Sequence, residues 1–567
     1  MPRNRSTYNK TVGSVRKKQI MTKCERLPAS WARYVNWAFL GVAICSVLLL
    51  GHIYGTRYYI AWGDETMFAE IAETFATHGV LGAPSYEGNG LKMAERTYFM
   101  PPVYPVLLSQ WFRVFPSTLG NARVFSNLVG VFCLLGVFAL ALRLPTRGVV
   151  PGLLTIALAV DVQFASMFNC ARPDMLACTL SVLSVPIYFS GTNNAGQLSL
   201  PRLAIAYLIA TVGMLTHPIG SMIAFLAIPL HILIAQTREL RRFKVWAILV
   251  GIPLIGLCLW GLYIVQDIDT FRHQFIDWQT ARKSGRFAGA QSYIGMVVST
   301  VVNFGVQGDG LAGLLSTILV GILGLKALGE GDRRRPALLV LLLVLLSGFA
   351  VNYGREMWYP PLRLPPFYLA LAICIDAPLR FRTCARISQQ VLLLRYAPLV
   401  AVMLLLVMSR STVATIGLIR EVTKSERAAA YSPATLAQEI TTTIPKGSSV
   451  AIWAFPDCFD ILWHSQHFSQ VNRLSWTRLS SQDLLAYVLR NDFLVITDSV
   501  LEPRLSGHQI DLTDRRWGAS GWRGMASQFF TAEKVIILPG GGTTKIYKRD
   551  PNKVPEDTAR KLADPQH

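Results

Sequence analysis

Two acidic residues stand side by side at Asp64 and Glu65, in the segment IAWGDETMFAEIAETFATHGV that runs from 60 to 80. Such a pair suits general acid–base work, in which one carboxylate takes a proton from a hydroxyl nucleophile and its neighbour orients the base or the acceptor. A second charged group lies in NCARPDML (169–176), where Arg172 and Asp174 are two residues apart. The cations that could meet a phosphate are Arg123, Arg355, Arg96 and Lys92, because guanidinium and ammonium groups make charge-assisted hydrogen bonds to anionic oxygens. His217, in LTHPIG, and Tyr359, beside Trp358, complete the polar candidates. Each has a plainer use. Asp64 can be a helix N-cap, Arg172 and Asp174 can pair with each other, Arg123 can snorkel, His217 can be structural, and the two aromatics can belong to an interfacial belt.

The elements that must position these residues follow from periodicity. After Asp64, the apolar residues Met67, Phe68, Ile71, Ala72 and Phe75 recur at helical spacing, and Gly79 supplies a stop. The spacing predicts a helix from about Glu65 to His78, lying along a membrane surface with Asp64 at its start. Segment 101–115, PPVYPVLLSQWFRVF, is apolar but carries Pro101, Pro102 and Pro105, which reads as a helix on the interface rather than across it. The stretch 292–306 reads similarly.

A membrane is implied by composition. Of 567 residues, 52% are hydrophobic and 16% charged, and the mean hydropathy is +0.37. A soluble surface of this size would need more charge. Apolar runs such as 36–55, 245–265 and 337–351 are long enough, with their flanks, to cross or nearly cross a hydrocarbon core. The first is too long for a cleaved signal peptide and has no small-residue cleavage site.

Eleven spans are expected, at 36–55, 121–142, 149–167, 175–190, 203–216, 219–235, 245–266, 309–328, 337–352, 361–377 and 391–409. When they alternate, every basic cluster falls on one side: the tail 1–34, Arg143 with Arg147, RELRRFK (238–244), GDRRRP (331–336) and RFRTCAR (380–386). That bias sets the N-terminus in the cytoplasm. The outer side then receives loops 56–120 and 267–308, the short turns near 168–174, 217 and 353–360, and everything after about 410. All the candidate residues gather on that outer side.

The pattern changes from about 431. SSVAIWAF (448–455), FLVITD (493–498), KVIILP (534–539) and TTKIYK (543–548) read as strands, SSQDLLAYVLR (480–490) as a helix, and PGGGT (539–543) as a hairpin turn. The fold class is therefore an all-α polytopic membrane domain over 35–410 with a small extracytoplasmic α/β domain over 431–550 and a polar, disordered tail at 551–567.

The order of these outer segments resembles a known group. An Asp-Glu pair directly after the first span, an amphipathic helix, ERTYFMPPVYPVLLSQWFRVFP (95–116) and ARVFSNLVGVF (122–132) together resemble the GT-C glycosyltransferases of the protein O-mannosyltransferase and aminoarabinose-transferase superfamily, nearest the RgtA/B/C/D-like branch. The likeness covers the first 250 residues well, the later spans loosely and residues 431–567 not at all. It implies transfer of a sugar from a polyprenyl-phosphate donor to a hydroxyl of a glycan, lipid or protein acceptor at the outer face. It implies Asp64 as the base, Glu65 as its helper, a site role for Asp174, and phosphate contacts from Arg123 and from Arg355 near Tyr359. Aminoarabinose-transferase-like members have Lys-Pro-Pro where this chain has Met100-Pro101-Pro102, so that lysine contact is missing; Lys92 or Arg96 would have to reach the same region. Some GT-C enzymes use a divalent cation, for which Asp64, Glu65 and Asp174 could supply oxygens. The branch this chain resembles generally manages without, and neither metal nor cofactor is expected. A bacterial inner membrane suits the residue types.

The remaining features argue by exclusion. The net charge of +21 sits in short loops, where the positive-inside bias accounts for it without nucleic acid. The nine cysteines include no CxxC, and Cys45, Cys133, Cys178, Cys258 and Cys374 lie in apolar runs as small core residues. A transporter or lipid flippase would show paired halves and charges at the midplane, and no internal repeat is evident. A non-catalytic scaffold, with 431–567 as its interaction surface, is the other alternative.

Overall fold

Hydrocarbon leaves backbone N–H and C=O groups no partner but each other, so apolar runs in this chain become helices. The computed structural model describes residues 29–57, 63–89, 91–144, 148–190, 198–235, 237–277, 362, 364–381, 433–453, 459–474, 487–498, 528–537 and 543–554. Its helices in the first half are α1 (Ala29–Arg57), α2 (Gly63–His78), α3 (Val103–Phe112), α4 (Leu119–Ala141), α5 (Val150–Ala159), α6 (Val162–Phe168), α7 (Pro173–Ser190), α8 (Leu200–Met214) and α9 (Met222–Ala235). A continuous helix α10 (Phe243–Ile264) follows, and later α11 (Leu364–Phe381). Among the described residues, four helices, within α1, α4, α7 and α10, are long and apolar enough to cross a membrane, and α5, α8, α9 and α11 contain shorter apolar stretches. The expected spans at 309–328, 337–352 and 391–409, and the segment 292–306, lie outside the described residues.

Three details depart from the sequence expectation. α1 begins at Ala29, so it takes Arg33 out of the basic tail and into the helix. The third span is two helices, broken at Val160 and Asp161. Asp161 causes the break by capping α6: its Oδ1 accepts the amides of Gln163 (2.9 Å) and Phe164 (3.3 Å), and its Oδ2 accepts the Tyr368 hydroxyl of α11 at 2.8 Å. A carboxylate at a helix N-terminus satisfies amides that would otherwise be orphaned inside the membrane. Third, Cys133 and Cys178 are buried as expected, but Cys45 and Cys258 are exposed. A small apolar residue suits a lipid-facing surface as well as a core, so hydrophobicity alone does not separate the two.

The bundle is built round α7, which packs against α4, α8 and α9, while α1 packs on α4 and α5. Close approach matters at Gly220, where a Cβ would come 2.6 Å from that of Ala177 on α7. The missing side chain lets the His217–Gly220 turn settle on the N-terminal end of α7. α2 lies against α3, with Phe68 and Tyr104 edge to face at 5.6 Å. It ends at Gly79, whose φ of +72° is open to glycine at little cost.

The C-terminal domain carries a five-stranded sheet: β1 (Ser449–Trp453), β2 (Gln470–Arg473), β3 (Phe493–Asp498), β4 (Phe530–Ile537) and β5 (Thr543–Arg549), in the order β2-β1-β3-β5-β4. β1 runs parallel to both β2 and β3, and β5 runs antiparallel to β3 and β4. The β4–β5 pairing is that of the expected hairpin. Helices α12 (Pro433–Thr443) and α13 (Phe459–His464), which the sequence reading did not mark, accompany the sheet. Leu436, Ile440 and Leu462 from these helices join Val450, Val495 and Ile546 in one of its two apolar clusters. Of the expected helix at 480–490, residues 487–489 are helical and the part before 487 lies outside the described residues. In the tail, Pro551–Lys553 form a single tight turn capped by Asp550.

Candidate active site

The first turn of α2 carries both acids, where the partial positive charge of a helix N-terminus favours them. Their surroundings differ. Glu65 has no exposed surface, and its Oε1 accepts Arg123 Nε at 3.0 Å and the Ala171 amide at 2.7 Å while its Oε2 accepts Arg123 Nη2 at 2.8 Å. Arg123 is placed for this by α4, whose N-cap Thr118 accepts the Asn121 amide and starts the helix just before it. The bond from Ala171 ties the α6–α7 loop to α2.

Asp64 faces the other way. Its Oδ2 accepts Nη1 of Arg172, whose Nε donates to Asp174 Oδ2 at 2.9 Å. One guanidinium therefore joins two carboxylates from different elements. Asp174 sits in the first turn of α7, behind Pro173, and its Oδ1 lies 3.7 Å from His217 Nε2. The Gly220 amide donates to His217 Nδ1 at 3.4 Å, which leaves the ring proton on Nε2, turned toward Asp174. Asp64, Arg172, Asp174 and His217 thus form one chain of polar contacts. Of the three carboxylates, Asp64 keeps 21% of its side chain accessible, against 0% for Glu65 and 2% for Asp174. Cys170, beside this chain, is held as a neutral thiol because burial pushes it up.

A second layer lies under the same helix. Glu70 is buried and accepts both the amide and the hydroxyl of Ser85. Burial pushes its carboxyl up, opposed by those two hydrogen bonds and by the nearby charge of Arg473. Glu73, one turn on, is pushed up to about 7 by burial and by Glu70. Its Oε1 lies 3.5 Å from Nδ1 of His464, on α13 of the C-terminal domain.

The structure brings Asp64, Glu65, Arg123, Arg172, Asp174 and His217 together. It sets Arg96 and Lys92 elsewhere. Arg96 donates to Gln266 at 2.7 Å, beyond the end of α10, and the charges of both Arg96 and Lys92 act on nearby Asp267. Arg355 and Tyr359 lie outside the described residues. Among the described residues, no three His, Cys, Asp or Glu side chains gather as a metal site would require. Sequence reasoning passed over Asp161, although a lone carboxylate inside an apolar run was a visible signal. It also passed over Glu70, Tyr86 and Arg473, which carry no local signal.

No family model matches the chain, and no curated protein matches it by sequence. Solved structures do. ArnT from Cupriavidus metallidurans bound to undecaprenyl phosphate is similar at a TM-score of 0.54 and 14% identity, over 91% of this chain and 98% of that one. The same enzyme in its apo state gives 0.55 and 13%, over the same shares. The fold is of the GT-C type. Archaeal oligosaccharyltransferase AglB from Archaeoglobus fulgidus, in complex with an inhibitory peptide and a dolichol-phosphate, reaches 0.49 at 12% identity over 92% of this chain and 75% of that one, and adds nothing to that conclusion. At 91% coverage the likeness to ArnT necessarily takes in part of residues 431–567, where the outer-loop motifs had nothing to say.

Proposed function

We propose that this chain is an integral membrane glycosyltransferase that moves a sugar from a polyprenyl-phosphate donor to an acceptor hydroxyl at the extracytoplasmic face, with Asp64 as general base. The observation that carries the reading is the contrast among the three carboxylates. Glu65 and Asp174 are sealed against Arg123 and Arg172, whereas Asp64 keeps an accessible edge at the same junction. Three carboxylates against two guanidiniums leave a formal surplus of one negative charge at this junction, and Asp64 is the carboxylate a hydroxyl can approach. The GT-C fold, and the undecaprenyl phosphate bound to the ArnT structure, support a lipid-linked donor.

The acceptor oxygen attacks the anomeric carbon as the bond from that carbon to the phosphate oxygen breaks, through an oxocarbenium-like transition state. The hydroxyl proton passes to Asp64. The electron pair of the broken bond leaves with the polyprenyl phosphate, which needs cationic donors. Arg172, already at the Asp64 carboxylate, is the described cation nearest to serve; Arg355 is a second candidate from sequence. Arg123 instead braces Glu65 and through it the start of α2. Glycan, lipid and protein acceptors share the hydroxyl this scheme needs.

The test is incubation of the purified protein with a panel of polyprenyl-phosphate sugars, following donor consumption and release of polyprenyl phosphate. At least one donor is expected to turn over. Asp64→Asn is expected to cut turnover by roughly 10²–10⁴-fold, the range for loss of a general base, with membrane insertion unchanged. Full turnover by Asp64→Asn would remove Asp64 from the role of base.

A further inference from the structure

Arg473 closes β2, an edge strand of the C-terminal sheet, yet it is only 2% exposed. What covers it is the outer loop of the membrane domain. Its Nη1 donates to Thr66 Oγ1 at 2.6 Å and to the Tyr86 hydroxyl at 2.7 Å, and its guanidinium carbon stands 5.2 Å from the centre of the Tyr86 ring. Burial pushes the Tyr86 phenol up to about 12, so it meets the arginine as a neutral oxygen. Thr66 belongs to the same first turn of α2 as Asp64, two residues away. One turn further along lies Glu70, which feels the Arg473 charge, and then Glu73, which meets His464 of the C-terminal domain.

Residues 66, 70 and 73 lie on one face of α2, because they are spaced by four and three. Residues 65, 68 and 72 lie on a second face, buried against the membrane domain through Arg123 and the apolar core. α2 is thus held between two bodies, with Asp64 at the end of the helix where both grips meet. Burying a guanidinium is costly, and here it secures the position of that first turn.

We infer that Arg473 is a positioning residue for Asp64, so that the C-terminal domain is a working part of the catalytic site rather than an appended acceptor-binding module. This rests on the glycosyltransferase reading, and the experiment separates the two. Full-length wild type, Arg473→Gln and Arg473→Lys are compared for donor turnover over a range of pH and for hydrogen exchange of the α2 amides. A base displaced by about 1 Å can cost on the order of 10²-fold. Arg473→Gln is expected to lower kcat by about that factor, to change KM for the donor by less than about threefold, and to speed exchange across 63–70. Arg473→Lys is expected to recover part of kcat, because both hydrogen bonds come from one nitrogen and an ammonium can replace it. Tyr86→Phe and Thr66→Val each remove one acceptor with little change of shape. They carry the same expectation, in smaller degree, if Arg473→Gln fails to fold. Unchanged exchange in α2, or wild-type kcat and pH profile in Arg473→Gln, would overturn the inference. A wild type that consumes no donor would instead overturn the glycosyltransferase reading, while faster exchange in the variant would still support the grip on α2.

Discussion

Glu65 accepts three N–H groups in a site closed to solvent, whereas the Asp64 carboxylate beside it faces partly outward. The two acids look equivalent in the sequence, since nothing near them distinguishes a brace from a base. The distinction comes from Arg123, 58 residues away, and Ala171, 106 away. Removing one partner of a buried ion pair strands the other's charge, at a cost of about 3–5 kcal/mol. Glu65→Ala is therefore expected to lower thermal stability far more than Asp64→Asn does, measured by unfolding of both variants in the same detergent. Equal stability of the two would mean that Glu65 braces nothing. Asp174 and Arg172 were legible as an acid–base pair, but the way Arg172 spans to Asp64 was not, because it depends on how α6 and α7 turn. Arg473 was illegible altogether: QVNR is four residues long, too short to alternate, and its arginine reads as an ordinary surface charge.

Helix α2 was readable almost to the residue, from its apolar spacing and from Gly79, because those signals are local. Its polar face was not. Thr66, Glu70 and Glu73 read as the solvated side of an amphipathic helix, and they lie instead against the loop and the C-terminal domain. One consequence concerns pH. The Glu73 carboxyl is pushed up to about 7 from its ordinary value of 4.5 by burial, with Glu70 on its own helix adding to the push. A carboxyl that holds its proton more tightly when folded contributes stability that is full below about 4.5 and is lost as pH rises through about 7. His464, facing Glu73, moderates this loss when it is itself protonated. Between pH 5 and 8 the wild type is expected to lose stability as pH rises, and Glu73→Gln, which cannot ionise, is expected to flatten that slope in thermal unfolding. An unaltered slope in the variant would place the titration elsewhere. The third span shows the reverse lesson to α2: its hydropathy predicted one helix, and a single carboxylate made it two.

Seen whole, the molecule is a helical bundle and a small mixed sheet that meet across α2. The bundle was legible because hydrophobicity in runs is a strong signal, and the sheet was legible wherever strands were apolar. The meeting between them was not, because it is made by side chains some 400 residues apart in the chain. The orientation of the whole rests on the placement of basic loops. Reporter fusions test it: alkaline phosphatase joined after residue 554 is expected to be active, and the same reporter joined before residue 29 inactive. The opposite pattern would put Asp64 on the cytoplasmic side, away from the acceptors proposed for it.

The bond between Asp161 and Tyr368 also orders events during synthesis. Its two ends are 207 positions apart, so the carboxylate leaves the ribosome long before the phenol that will meet it. At roughly 5–20 residues per second, that gap is on the order of ten seconds or more. Throughout it, the third span has to sit in the translocon or the lipid with this contact still unmade. The break between α5 and α6 needs only the local Asp161 cap, whereas the hydrogen bond that ties that break to α11 can form only once Tyr368 has been made.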